Sequence, residues 1–357
     1  MTAAGLGLWA AITIAVAGPA TSPEYLPLFV AQSEGYFAQE KLEVTLTIER
    51  SESDAAQAMA RGRADIAATS LDAAYRLGHV KGAPPPLLFG LTAAPPVAIL
   101  VSPGHKETVR SPRDLRGQPV GLPGVGTPEQ AMLATILARA GVRIYHVPLR
   151  SFSNRALAGA LEQGEVAAAV MADPWVTRLV EDVEVRGAAG GEPRAEKSAV
   201  RGAAEGEPRA EKNAVSILVD LRTRSDAARW LGAETVHAAL FLRADAAVGE
   251  QDLVALAKAL LRAVARVSDA PAETLAAGLP ASVIGQPGDF ALRVAGARQI
   301  YLPRGRVTED MLKASLRQAR ERVEMPAAVK LPWFRWSPLL RTGPLERATV
   351  AGEPPPR

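Results

Sequence analysis

Polar side chains suited to holding a small ligand gather where short apolar strands end. Residues 55–70 read as a helix stopped by Gly62, then a strand from Ile66 to Ala68 that runs into the hydroxyls of Thr69 and Ser70. Residues 157–173 repeat the pattern, with a helix stopped by Gly164 and an apolar strand running into Asp173, then Trp175. Glycine ends a helix in the left-handed region without a Cβ clash. In open α/β sheets, ligands bind outside the carboxyl ends of the strands. Other strand ends add Glu24 and Tyr25 after the first strand, Ser51 and Ser53 after the second, and Gly124, Gly126 and Thr127 after a later one. The run Thr127-Pro128-Glu129-Gln130 supplies N-cap, N1 proline and N3 glutamine. The open N–H groups of such a helix start favour an anionic group; the alternative is an ordinary capped loop. Tyr25 and Trp175 either stack on a ligand or pack into the core. Asp173 either accepts from a ligand amine or ring N–H or caps a turn, and its charge disfavours a small anion. No Arg stands at these strand ends as a bidentate anion clamp.

Other chemistries lack their residues. Cysteine is absent, which removes disulfides, thiolate metal sites, Fe–S clusters and Cys nucleophiles together. The four histidines, His79, His105, His146 and His237, stand at no metal-ligand spacing and read as scattered surface or half-buried imidazoles. No metal or cofactor is implied. There is no Ser-His-Asp pattern, P-loop or Rossmann fingerprint, and the glycines of 121–126 are too loosely spaced to count as one. With a net charge of only +3 and no dense Lys/Arg stripe, nucleic-acid binding has little support.

The elements that must position these residues follow from periodicity. At 357 residues the chain is long enough for two domains. Ile12–Val16 reads as the first strand; residues 1–11 are apolar, like the tail of a secretory leader without its positive start. Leu26, Phe29, Val30 and Phe37 recur at helical spacing. The strict alternation of 42–48 is a strand, and Ser51 to Asp54 offer N-caps for the helix closed by Gly62. Ser70 caps a further helix through Leu77, and Leu87–Leu91 and Val97–Val101 read as strands. Ser111-Pro112-Arg113-Asp114 signals a helix start. Val120 begins a strand, a helix ends at Gly141, Val142–Val147 reads as a strand, and Asn154 starts the helix closed by Gly164. Ile217–Val219 and Val236–Leu242 are strands, and Leu253, Leu256, Leu260, Val264 and Val267 make an amphipathic helix. This alternation predicts α/β architecture with mainly parallel sheets. Residues 185–214 are a near-identical tandem repeat rich in Gly, Pro and mixed charge, read as a mobile surface insertion. A Pro-rich tail beyond Leu331, with Trp333, Phe334 and Trp336, either docks or frays.

Three segments carry a resemblance. Residues 23–37, PEYLPLFVAQSEGYF, are similar to a "PLYVAKEKGYF" signature. Residues 111–121, SPRDLRGQPVG, resemble a "DLKGKKVG" entry into a second lobe, and Ala172-Asp173-Pro174-Trp175 resembles an "EPW" cleft motif. In this order they resemble the SsuA/THI5-like substrate-binding proteins of ABC importers for nitrate, sulfonates, taurine and thiamine-pyrimidine precursors. The resemblance implies a type II periplasmic-binding-protein fold, two α/β lobes joined by a two-strand hinge. Its crossovers are expected at Val97–Val101 and Val236–Leu242, giving lobes of 12–97 plus 243–357 and of 98–242. It implies a solute-binding component that closes around a small organic ligand, with an anionic one among the options, an ABC permease and ATPase as partners, a periplasmic location and a monomeric, non-enzymatic chain. The ligand set expected is Glu24, Tyr25, Ser51, Thr69, Ser70, Gly124, Gly126, Thr127, Asp173 and Trp175. Two other readings use the same fold: a ligand-sensing subunit, and a pyrimidine-precursor enzyme whose Cys-rich iron motif this chain lacks.

Overall fold

A computed structural model describes residues 10–81, 84–124, 127–180, 214–322 and 339–352. The expectations for residues 1–9, for Gly126, for the tandem repeat up to residue 213 and for Trp333, Phe334 and Trp336 fall outside these. The chain divides into two compact units, Met1–Pro96 with Leu221–Arg357, and Val97–Asp220. The first boundary falls at Pro96/Val97, where the lobes were expected to part at 97/98. The second falls at Asp220/Leu221 instead of after Leu242, because Ala238–Leu242 pairs inside the sheet of unit 1.

Ten strands are described: β1 Ala10–Ala17, β2 Leu42–Glu49, β3 Ile66–Ser70, β4 Leu87–Gly90, β5 Val97–Val101, β6 Val120–Leu122, β7 Leu149–Ser151, β8 Ala168–Ala172, β9 Ser216–Asp220 and β10 Ala238–Leu242. Unit 1 holds the sheet β2-β1-β3-β10-β4 and unit 2 the sheet β7-β6-β8-β5-β9. The two orders correspond strand for strand. β1 pairs in parallel with β2 and β3 as β6 does with β7 and β8, and β10 and β5 are the antiparallel members. Each sheet therefore has four strands in one direction and one reversed.

The glycine stops close as the sequence pattern predicts. The helix Glu52–Ala60 ends with Gly62 at φ 73°, Gly62 N–H donating to Met59 O and Arg63 N–H to Ala58 O. The helix Asn154–Glu162 ends with Gly164 at φ 75°, Gly164 N–H donating to Leu161 O and Glu165 N–H to Ala160 O. Both are Schellman closures, which satisfy the last carbonyls of a helix through a left-handed C′ residue. Gly141 closes the helix Pro128–Arg139 in the same way, with Val142 N–H on Leu137 O.

That third closure explains one miss. Residues 142–147 are not a strand: Val142 belongs to the helix stop, Ile144–His146 forms a 3₁₀ turn, and pairing starts after Pro148, where Leu149 aligns with Val120. Ser111 and Asp114 do form a capping box, but the turn Pro112–Leu115 is a short 3₁₀ segment that ends before Gly117 at φ 77°. The helix after Ser70 runs from Leu71 to Lys81, past the expected end.

Period-two alternation builds a core on both faces of the unit 1 sheet. Ile66, Ala68, Leu240 and Leu242 face one cluster with Leu28, Leu260 and Val267, while Ala67, Ala239 and Phe241 face a second with Tyr75, Leu312 and Leu316. The helix Glu250–Asp269 buries Leu253, Leu256, Leu260, Val264 and Val267, as its spacing requires. Each such side chain contributes roughly 1.5–3 kcal/mol. The helix Gly343–Gly352 packs against it through Leu345 and Ala348, and Arg341 and Arg347 both reach Glu250, so this part of the tail is docked. In unit 2, Ala98, Leu100, Ala169 and Met171 pack against Leu157, Leu161 and Val176. Among the described residues no helix is long and apolar enough to cross a membrane.

Candidate functional site

At one end of the unit 1 sheet the backbone brings four loops together. β1 leads into the 3₁₀ turn Pro23–Tyr25, β2 into Ser51, and β3 ends on Thr69 and Ser70. Because β10 is antiparallel and Ala238 aligns with Ser70, His237 stands at this same end. Glu52, the first residue of the helix Glu52–Ala60, is the hub. Thr69 Oγ1 donates to the Glu52 carbonyl oxygen at 2.8 Å, Ser70 Oγ donates to Glu52 Oε2 at 2.6 Å, and His237 Nε2 lies 3.7 Å from Glu52 Oε1. Ser70 Oγ also accepts from Ala73 N at 3.2 Å, capping its own helix. Thr69 and Ser70 are buried; Thr69 ties down the backbone of Glu52, and Ser70 ties down its carboxylate.

The order Ser70–Glu52–His237 is the reverse of a nucleophile's wiring. In a catalytic triad the imidazole lies between hydroxyl and carboxylate so that it can take the hydroxyl proton. Here the carboxylate lies between the other two.

Glu24 and Tyr25 complete this end. Tyr301 Oη donates to Pro23 O at 2.6 Å and fixes the turn, and Ser22 Oγ donates to Glu24 Oε2 at 2.6 Å. Tyr25 is 3% exposed, and its hydroxyl has no hydrogen-bond partner among the described residues. A buried hydroxyl in that state costs roughly 1–3 kcal/mol. Burial first, then the carboxylates of Glu52 and Glu24, holds the phenol well above its ordinary pKa. Ser51 is instead exposed and caps the helix, accepting from Asp54 N at 3.1 Å; Ser53 is exposed beside it.

The corresponding end of unit 2 has different chemistry. Thr127 is the N-cap of the helix Pro128–Arg139, with Oγ1 donating to Gly124 O at 3.1 Å and accepting from Gln130 N at 3.5 Å. After β8, Asp173 is buried and caps its own short helix, Oδ1 accepting from Thr177 N at 3.1 Å and from Thr177 Oγ1 at 2.9 Å. Trp175 is half-buried against the unit 2 core, and the Arg178 guanidinium lies over its ring, 5.2 Å from the centroid. Among the described residues, no group of three His, Asp or Glu side chains is placed to hold a metal ion.

Residues 22–274 match the family model described as NMT1/THI5 like. The chain belongs to the NMT1/THI5-like family. Solved structures share its fold. A protein of Bordetella bronchiseptica RB50 is 22% identical over 96% of this chain and 98% of its own, with a TM-score of 0.69. The periplasmic sulfonate-binding protein SsuA from Methylobacillus flagellatus KT is 16% identical over 96% and 94%, with a TM-score of 0.63. The alkanesulfonate-binding protein SsuA from Xanthomonas axonopodis pv. citri, bound to MOPS, is 19% identical over 85% and 89%, with a TM-score of 0.54. No match was found among curated protein sequences.

For this NMT1/THI5-like chain, then, Glu24, Tyr25, Thr69 and Ser70 come together in unit 1, and Gly124, Thr127, Asp173 and Trp175 lie at strand ends of unit 2. Sequence reasoning missed three residues. Glu52 lay within the stretch Ser51 to Asp54 read only as N-caps, His237 read as one scattered imidazole, and Arg178 was given no role. The one usable signal was that His237 stands near the start of the apolar run Val236–Leu242.

Proposed function

We propose that this protein is the solute-binding component of an ABC importer, working in the periplasm as a monomer and delivering a small organic ligand to a permease and its ATPase. The ligand is held by strand-end residues of both units, Glu24, Tyr25, Thr69 and Ser70 from unit 1 and Gly124, Thr127, Asp173 and Trp175 from unit 2, and hinge bending closes the units around it. One observation carries the reading: two sheets of the same strand order each end in loops rich in polar and aromatic side chains. The reversed Ser70–Glu52–His237 wiring supports binding over catalysis.

A thermal-shift screen over pyrimidines, sulfonates, nitrate and aromatic carboxylates tests it. A true ligand raises Tm in proportion to the logarithm of its concentration over Kd. Trp175→Ala should weaken that ligand's binding at least tenfold and leave the apo protein folded. Turnover of a substrate, with no saturable binding of any small molecule, would overturn the reading.

A further inference from the structure

Unit 1 holds a small cavity that the proposed site does not use. It measures about 190 Å³ and lies past the end of β4, where the chain runs through Ala93 before leaving unit 1 and comes back through the helix Arg224–Leu231. None of its lining residues belongs to the ligand set proposed above. The floor is apolar, with Ala93, Ala227, Leu302 and Met311 all buried. Thr235, buried beside them, donates its hydroxyl proton to Ala93 O at 2.7 Å. Drug-sized ligands occupy roughly 300–1,000 Å³, so this volume suits a smaller molecule.

Two guanidinium groups set the charge of the cavity. Arg224, half-buried at the first position of its helix, and Arg306, exposed after the turn Pro303–Gly305, both line it. Among the described residues neither side chain forms a hydrogen bond or an ion pair. A guanidinium stays charged and carries five N–H donors and no acceptor. It therefore calls for an acceptor, whereas a hydroxyl serves either way. Glu234, exposed on the same lining, pairs with neither, which leaves two cations against one carboxylate.

We propose that this cavity binds a small organic carboxylate, its acid group on Arg224 and Arg306 and its short apolar body against Ala227, Leu302 and Met311. The planar fork of a guanidinium matches a carboxylate in paired N–H···O bonds, and charge-assisted bonds are roughly twice as strong as neutral ones. An ammonium would meet two positive charges, and a neutral amide would leave the charge-assisted bonds unmade. The site is additional to the strand-end residues and needs no closure of the units, so it stands or falls separately from the solute-binding reading.

Ligand-observed NMR titration of the full chain with butyrate and benzoate, against butyramide and butylammonium, tests the proposal. At least one carboxylate should bind saturably, and ten times or more tighter than the amide or the ammonium. Arg224→Gln combined with Arg306→Gln should weaken it at least tenfold with Tm unchanged, because neither guanidinium is tied into the fold. Ala228→Leu adds bulk at a half-buried lining position of the same helix and leaves every charge in place. It should weaken the carboxylate several-fold, a loss that a general change in surface charge would not reproduce. Unchanged carboxylate affinity in either the double variant or Ala228→Leu puts the binding elsewhere and overturns the proposal. Equal or tighter binding of butyramide or butylammonium overturns the charge class, and the absence of saturable binding by both carboxylates overturns the site.

Discussion

Helix Glu52–Ala60 in unit 1 and helix Asn154–Glu162 in unit 2 end in the same pair of Schellman bonds, at Gly62 and Gly164, and each feeds a buried strand in the same position of a five-stranded sheet. The resemblance stops where the strands do. β3 ends on hydroxyls turned toward Glu52, beside a buried phenol and a second carboxylate, whereas β8 ends on an aspartate that caps its own helix, beside an indole under a guanidinium. Helix stops and strand order are set by local backbone chemistry and pairing, which tolerate little change. The residues past a strand's end take no part in the sheet's pairing and can diverge without breaking it.

Alkaline pH should separate the units most strongly. Tyr25, Tyr75 and Tyr301 are all buried in unit 1. Burial raises each phenol's pKa, with Glu52 and Glu24 adding at Tyr25 and Glu24 at Tyr301. A folded pKa above the unfolded one gives stability that is complete below about pH 10 and lost as pH rises beyond it. Each phenol should remove roughly 1.4 kcal/mol per pH unit there. Single-tryptophan variants retaining Trp230 in unit 1 or Trp175 in unit 2, followed by fluorescence, should show the unit 1 signal unfolding first. Coincident transitions would erase the distinction.

A smaller effect tests the likeness itself. Gly62→Ala and Gly164→Ala add a Cβ with nothing within 4 Å at either position, so only the left-handed backbone is penalised. Each should cost about 1–2 kcal/mol, by equal amounts, in urea unfolding; a difference above that range would mean the two closures are not equivalent. The smallest effect sharpens the contrast between the caps. Ser51→Ala should cost about 1 kcal/mol, and Thr127→Ala less, because its N–H···O contact spans 3.5 Å against 3.1 Å at Ser51. The same denaturation series measures both, and a reversed order would overturn the ranking.

Most elements were legible in the sequence because their signals are local. Gly62, Gly141 and Gly164 mark helix ends through their own dihedral freedom, and Leu253 through Val267 mark a buried face through spacing alone. Val142–Val147 misled because an apolar run followed a helix stop, and periodicity cannot tell a Schellman contact from a strand. The site was half legible. Glu24, Tyr25, Thr69 and Ser70 were found as strand-end residues, while Glu52 was passed over as a capping acid.

By itself the sequence determined where helices stop, which strands alternate, and that the chain is α/β, since each depends on residues within a few positions of one another. Only the tertiary structure decided that Val97–Val101 and Ala238–Leu242 are the reversed strands of two matching sheets, and that Ser70, Glu52 and His237 form one chain of contacts. Those choices depend on which strand pairs with which. Ser70 meets Glu52 across 18 residues, and His237 reaches it only because β10 lies antiparallel against β3. Hydrogen bonding between distant strands selects that arrangement, and no pattern within either segment records it.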